Sequence, residues 1–157
     1  MTDEEPIVNE EPTTTNDEPT VDLWISVDDV IAFHGLKPQH LNINKNDNDA
    51  DDQLAAIVTN WIIQSQDLIN MYCNRNYTSS TVRPAVQNIA LRLTSNMVRL
   101  AIQNRDSPII KVNDWTITTV PSDIFTDDLK EDLRPFIKDS STEPDSIGVL
   151  AITGSDD

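Results

Sequence analysis

Glycine, cysteine and histidine are scarce in this sequence, and each shortage excludes a class of site. Three glycines are too few for glycine-rich phosphate-binding loops such as GxGxxG. Cys73 is the single cysteine and His34 and His40 are the only histidines, so neither an internal disulfide nor a zinc site at ligand spacing is expected. A Cys–His nucleophile pair is formally possible, but no local signature supports it. We therefore predict no catalytic residues, no metal ligands and no cofactor.

Long apolar runs and a basic N-terminus are also missing. The first residues, MTDEEPIVNEEP, lack the positive region and the apolar region of a signal peptide. No apolar run approaches the roughly 20 residues that span a bilayer. These absences predict a soluble intracellular protein without a membrane partner.

Basic residues are absent from both ends of the chain. Residues 1–22 contain eight acids and residues 139–157 contain five, while all eleven basic residues lie in 23–138. We predict one domain over 23–138, an acidic arm over 1–22 that is disordered or bound to a partner, and a C-terminal arm over 139–157. The net charge of −16 repels phosphate, which argues against passive binding to DNA or to anionic membranes.

The most informative stretch is Arg83–Arg105, RPAVQNIALRLTSNMVRLAIQNR. It has no acid and no glycine, and its proline lies where the first turn of a helix tolerates one. At helical spacing one broad face is apolar and Arg92, Asn96, Arg99 and Gln103 fall opposite. The core face comprises Val86, Ile89, Ala90, Leu93, Met97, Leu100 and Ala101.

A second, narrow apolar stripe lies to one side of this helix and consists of Leu91, Val98 and Ile102. A surface helix of a lone small domain normally has one apolar stripe. We therefore expect the second stripe to pack against a neighbouring subunit.

Helical patterns also occur before this stretch. Ser26 and Gly35 bound a short helix over Val27–His34, which His34 should close as a cation. A longer helix is predicted over Ala50–Arg75, antiparallel to the next because the connection is short. Ile63 and Met71 lie off its apolar face and are further candidates for the subunit interface.

After Asp106 the apolar period changes. Pro108–Val112 and Trp115–Val120 predict a β-hairpin over 108–120, with Asn113 and Asp114 as its turn. Thr126 should cap a short helix that stops or kinks near Arg134, because Pro135 lacks the amide proton that a helix needs.

The segment Ile147–Thr153 is apolar, β-prone and without a neighbouring strand in the sequence. It is a candidate for pairing with another chain. Arg83, Arg92, Arg99 and Arg105 form the only basic cluster, which can be a solvated face with ion pairs, a subunit contact or a nucleic-acid contact.

The order of these parts resembles the head–tail connector (adaptor) proteins of tailed phages and related viruses and prophages. The resemblance extends over residues 23–138. The segments that carry it are WISVDDVIAFHGLKPQHLNIN, the acidic loop, the helix ending MYCNRNY, PAVQNIALRLTSNMVRLA, the hairpin and TDDLKEDLRPFI.

The predicted fold is mainly α: a small helical bundle of two long antiparallel helices plus short helices, with one β-hairpin and extended terminal arms. The acidic N-terminal arm lies outside the usual pattern of the family. The resemblance also implies a ring of roughly twelve copies below the portal. Heterologous contacts between copies can close such a ring. Such a ring extends the DNA channel, lies close to the genome without sequence-specific contacts and docks a stopper or tail protein. The family has no catalytic residues, and its place is the virion after assembly in the host cytoplasm.

Within that frame three groups of residues receive roles. Leu91, Val98, Ile102, Ile63 and Met71 are expected at the subunit interface. Asn113 and Asp114 should face the channel or the tail, and the arm with Ile147, Val149, Leu150 and Ile152 should enter the portal. The alternative is a small helical regulatory or nucleic-acid-binding protein; for an enzyme subunit the sequence offers no constellation of residues.

Overall fold

The structure is a computed structural model that describes residues 20–104 and 117–139. Its described part is mainly helical and contains four α-helices and no strand. The helices are α1 (Val27–His34), α2 (Ala50–Cys73), α3 (Pro84–Gln103) and α4 (Asp127–Leu133). Two 3₁₀ turns, Pro38–Leu41 and Arg134–Phe136, follow α1 and α4.

Local sequence signals explain where the helices begin and end. The Ser26 hydroxyl accepts hydrogen bonds from the amides of Asp28 and Asp29, and Gly35 ends α1 with φ of 56°. α2 ends at Cys73, two residues before the predicted end, and Asn74 follows it in the same left-handed conformation. Both signals confirm the predicted α1 and the main part of the predicted second helix.

The last helix ends as the sequence predicts. Pro135 cannot donate an amide proton, so α4 stops at Leu133 and the chain continues as a 3₁₀ turn. Thr126 occupies the N-cap position, but its side chain makes no capping hydrogen bond. The prediction of the helix is confirmed, and the prediction that the Thr126 side chain caps it is wrong.

Only the last four residues of the predicted hairpin, 117–120, lie within the described residues. Residues 105–116 lie outside the described residues, and with them the tip residues Asn113 and Asp114. Ile117–Val120, the end of the predicted second strand, forms a turn instead of a strand. The side chains of Ile117 and Val120 pack against the helical core. A turn allows this packing as a strand would, so the apolar pattern alone did not distinguish the two.

A single apolar core lies between the helices. α2 and α3 form the main helix pair, α1 packs on both of them, and α4 packs on α3. Trp24 and Trp61 are 5% and 3% exposed, so both side chains anchor the core. The fully buried large side chains include Ile62, Leu68, Ile69, Leu93, Met97, Phe125 and Leu133.

Candidate interaction surfaces

The outward face of α2 contains almost no charge. Beyond the first turn of this helix its exposed residues are Ala56, Asn60, Asp67 and Met71, and Asp67 is the only charged one. Met71 is 47% exposed although it is a large apolar residue. Ile63, which is half-buried, precedes Asp67 by four residues and Met71 by eight, so the three lie on one side of the helix. We call Ile63, Asp67 and Met71 the α2 face.

Asp67 lies on this face in partly desolvated surroundings. Burial raises the pKa of its carboxyl group above the ordinary value, because a charged carboxylate loses hydration there. None of the ion pairs between described residues includes Asp67. The α2 face therefore combines apolar surface with one exposed carboxylate whose pKa is raised and which has no ion-pair partner among the described residues.

The three residues of the predicted second stripe on α3 differ in exposure: Val98 is buried, and Leu91 and Ile102 are half-buried. Val98 is fully buried in the core of its own chain and has no surface left for a neighbour, so its prediction as an interface residue is wrong. Leu91 and Ile102 are half-buried and pack against the same core. The apolar face of α3 is simply wider than one stripe because α1, α2 and α4 all pack on this helix. Leu91 and Ile102 keep partial exposure, and their interface role stays a prediction.

Of the predicted basic cluster, Arg105 lies outside the described residues, and Arg83, Arg92 and Arg99 do not form one group. Arg83 precedes α3 and lines a pocket with Arg75 and Lys138, whereas Arg92 and Arg99 line a different hollow. Arg92 forms an ion pair with Asp132. The helical period explains the separation, because positions 83 and 92 lie on opposite sides of the helix.

The pocket with Arg83 is basic. Its volume is about 560 Å³, and no carboxylate lines it within the described part of the chain. The Arg75 guanidinium donates to the Phe136 carbonyl at 2.6 Å and lies 5.9 Å from the centre of the Tyr77 ring. Arg83 and Lys138 form no ion pair with a described carboxylate. Three cations therefore converge in a chain whose net charge is −16.

A second hollow lies where α1, α3 and α4 meet. We call it the α3 groove; its volume is about 380 Å³. Its main lining residues are Phe33, His34, Leu91, Ser95, Arg99 and Leu129. The α3 residues in this lining recur at positions 88, 91, 92, 95, 96 and 99, which is one side of a helix.

Two polar atoms in the α3 groove have no hydrogen-bond partner among the described residues. They are His34 Nε2 and Ser95 Oγ, and both atoms are buried. Burial, with a smaller effect from the nearby Arg99 charge, lowers the pKa of His34. Both effects disfavour the cationic form of His34, which lies in the last turn of α1 where the sequence analysis expected a cation.

The sequence interpretation missed this groove, although one signal was available. In α1 the buried and half-buried positions are Val27, Val30, Ile31 and His34, which follow helical spacing. Phe33 falls off that spacing and is 69% exposed, the highest value among the exposed large apolar residues. Because Phe33 lines the α3 groove, its position off the apolar stripe of α1 was the available signal.

The remaining predicted site residues lie outside the described residues. These are Asn113 and Asp114 of the hairpin tip, and Ile147, Val149, Leu150 and Ile152 of the C-terminal arm. Within residues 20–104 and 117–139 there is no group of acidic, histidine or cysteine side chains that could hold a metal ion. In the same residues no helix has the length and apolar content of a membrane span.

Comparison with known proteins identifies no relative. No protein-family model, no curated protein and no solved structure matches the chain.

Proposed function

We propose that the chain is a structural head–tail connector (adaptor) subunit. In this proposal several copies form a ring below the portal of a tailed phage or related virus, extend the DNA channel and dock the stopper or tail. The α2 face is the observation that supports it most. In a chain of which 24% of residues are charged, a helix face that stays in water normally contains more than one charge in five turns.

The α2 face fits a contact between copies better than it fits solvent. Met71 and Ile63 present apolar surface, and burial already disfavours the charged form of Asp67. A ring needs two different lateral surfaces on each subunit, because the contact is heterologous. We assign the α2 face to one of them and the partly exposed Ile102 on α3 to the other.

The rest of the proposed architecture follows the family resemblance. α2 and α3 are taken as antiparallel, the segment that contains Asn113 and Asp114 points toward the channel or the tail, and the arm over 147–153 inserts into the portal. The subunit is non-enzymatic and functions in the virion. Its acidity suits a DNA channel, because a wall that bound phosphate tightly would retain the genome.

The proposal is tested by mixing the full chain with the portal protein encoded beside it. We expect negative-stain images to show a ring stacked on the portal. Native mass spectrometry of the chain with its portal should give one defined copy number. A chain that never binds the portal and never forms a ring would overturn the connector function.

The role of the α2 face is tested by Met71→Glu. The new charge should reduce ring formation at least about tenfold, since a buried unpaired charge costs more than about 1.4 kcal/mol per contact. Val21→Glu is the matched control, because Val21 is 53% exposed and lies outside the helices. Rings that form equally well with Met71→Glu would place the subunit contact elsewhere.

The basic pocket favours a second candidate, a small helical protein that binds nucleic acid. Arg75, Arg83 and Lys138 can contact phosphates, although the whole-chain charge opposes this. The distinguishing measurement is DNA retention as a function of salt. Binding that weakens with salt and is lost in Arg83→Ala would favour the second candidate, while no retention at low salt would exclude it.

A further inference from the structure

The α3 groove is a built binding site that the connector function leaves unused. Ser95 is 9% exposed, and its hydroxyl oxygen is buried without a hydrogen-bond partner among the described residues. His34 Nε2, on the facing helix, is in the same condition. Unpartnered buried polar atoms are rare, and two on the walls of one groove indicate a ligand with polar groups.

The rim of the groove sets the charge of that ligand. Arg99 is exposed and forms no ion pair with a described carboxylate, and Arg92 is held only by Asp132. No described carboxylate lines the groove itself. The cations therefore favour an anionic ligand, and arginine is the side chain best suited to carboxylates.

The floor of the groove is apolar, so its ligand should also have apolar groups. Phe33, Leu91 and Leu129 contribute apolar side chains, and Phe33 is 69% exposed in the described structure. A free inorganic anion would leave these side chains in water. A peptide with apolar residues flanked by acids would cover the floor and pair with the arginines.

One segment of this chain has that composition. Residues 3–11 read DEEPIVNEE, with Ile7 and Val8 between acids on both sides. By contrast, the apolar run at 147–153 has no charged residue within it, and residues 105–116 include Arg105 and Lys111. Residues 3–11 are the stretch outside the described structure that best complements an apolar floor with a cationic rim.

The segment can reach the groove of its own chain. The Asp22 carboxylate accepts a hydrogen bond from the Ser79 amide at 2.9 Å, which places the start of the described chain near the turn before α3. From Arg83 to Arg99 the helix rises about 24 Å, at about 1.5 Å per residue. The residues between Val8 and Thr20 extend over as much as about 40 Å, at about 3.3 Å per residue.

We propose that residues 3–11 dock in the α3 groove of the same chain, with Ile7 and Val8 on the apolar floor and the flanking carboxylates at Arg99, Arg92 and Ser95. The acidic N-terminal arm then acts as a tethered ligand that covers Phe33 and Leu91. This inference does not depend on the proposed ring, because neither the α2 face nor Ile102 lines the groove, and it gives Leu91 a contact within its own chain instead of at the subunit interface.

Site-specific photo-cross-linking in the full chain tests the proposal. A photoreactive phenylalanine analogue replaces Ile7, and mass spectrometry locates the cross-links. We expect them on Phe33, Leu91 and neighbouring groove residues. Cross-links confined to other surfaces, or none to the folded domain, would overturn the proposal.

Charge reversal at the rim supplies the second measurement. Arg99→Glu should lower the groove cross-links by about fivefold or more, since an attraction of up to about 1 kcal/mol becomes a repulsion. Arg134→Glu is the matched control, because Arg134 is exposed, pairs with Glu131 and does not line the groove. Equal losses in both variants, or no loss in Arg99→Glu, would contradict the role of the rim.

Isotope mixing identifies the source of the segment. Copies grown with ¹⁵N and copies grown with ¹⁴N are mixed before irradiation. Same-chain docking gives cross-linked peptides of one isotope only. Products that combine both isotopes would show a second copy's segment in the groove and overturn the same-chain proposal.

Discussion

The hydroxyl groups of Ser65 on α2 and Thr94 on α3 lie 2.9 Å apart in the centre of the core. Each hydroxyl can also reach the carbonyl four residues earlier in its own helix: Ser65 Oγ lies 2.9 Å from the Trp61 oxygen, and Thr94 Oγ1 lies 2.8 Å from the Ala90 oxygen. A hydroxyl has one proton, so one of the two groups donates to its own helix and accepts from the other. Both residues are fully buried, and this pair is the polar link between the two long helices.

From this hydrogen bond we expect Thr94→Val to lower the free energy of unfolding only modestly. The substitution keeps the shape and leaves Ser65 free to donate to the Trp61 carbonyl, so no buried donor is left unsatisfied. We expect a loss of about 1 kcal/mol in the free energy of unfolding, measured by urea denaturation. Thr59→Val is the control, because the Thr59 hydroxyl donates only within its own helix, to Ala55. A loss no larger than that of the control would mean that the Ser65–Thr94 bond adds nothing.

We expect a larger loss in the free energy of unfolding when Gln66 is replaced than when Thr94 is replaced. Its side-chain oxygen accepts from the Trp24 amide at 2.8 Å, and its side-chain nitrogen donates to the Asp22 carbonyl at 3.0 Å. Gln66→Ala leaves the buried Trp24 amide unpaired, which costs about 1–3 kcal/mol. Urea denaturation followed by tryptophan fluorescence measures this loss. Gln53→Ala should change stability by less than about 0.5 kcal/mol, because the bond from Gln53 to Asp49 is exposed.

Gly35 predicts a purely conformational effect. Its φ of 56° is left-handed, and an added Cβ would meet nothing within 4 Å. Gly35→Ala should therefore destabilise by about 1–2 kcal/mol through the backbone alone. Gly35→Asn should cost less, because asparagine tolerates the left-handed region. Equal losses in the two variants, measured by thermal unfolding, would indicate a steric cause instead.

His34 predicts how stability depends on pH. Burial lowers the pKa of His34 in the folded chain below the ordinary value of about 6.5. As the pH falls through 6.5, His34 is protonated in the unfolded chain before it is protonated in the folded chain. Its contribution to the free energy of unfolding is therefore complete above pH 6.5 and decreases as the pH falls toward the pKa of the folded chain. His34→Gln should show a flatter stability curve between pH 7.5 and 5.5, measured at high salt to screen the acidic segments. Parallel curves for the two proteins would contradict the lowered pKa.

Local signals made most of the described fold predictable from the sequence. Ser26 and Gly35 mark the two ends of α1, and Pro135 marks the end of α4, because each acts through its own backbone geometry. The apolar period of α3 likewise placed Leu93 and Met97 in the core. These features depend on residues close together in the sequence.

The surfaces were less predictable, because they depend on which helices meet. The sequence predicted Val98 as part of a second stripe, but α3 has three helical neighbours and Val98 is fully buried within its own chain. Arg83 and Arg99 looked like members of one cluster, but they line different hollows. The sequence analysis assigned no role to Ser95, because the burial of its hydroxyl without a partner among the described residues depends on how the helices pack.

The end of α2 is closed by a distant part of the chain. The Lys138 amide donates to the Cys73 carbonyl at 2.8 Å, and Cys73 itself is fully buried. Because Cys73 is the only thiol in the chain, its rate of reaction with a thiol reagent reports how often the buried end of α2 opens to solvent. The protein thus contains an internal probe of local opening. A partner that stabilises this end of α2 would slow the modification of Cys73.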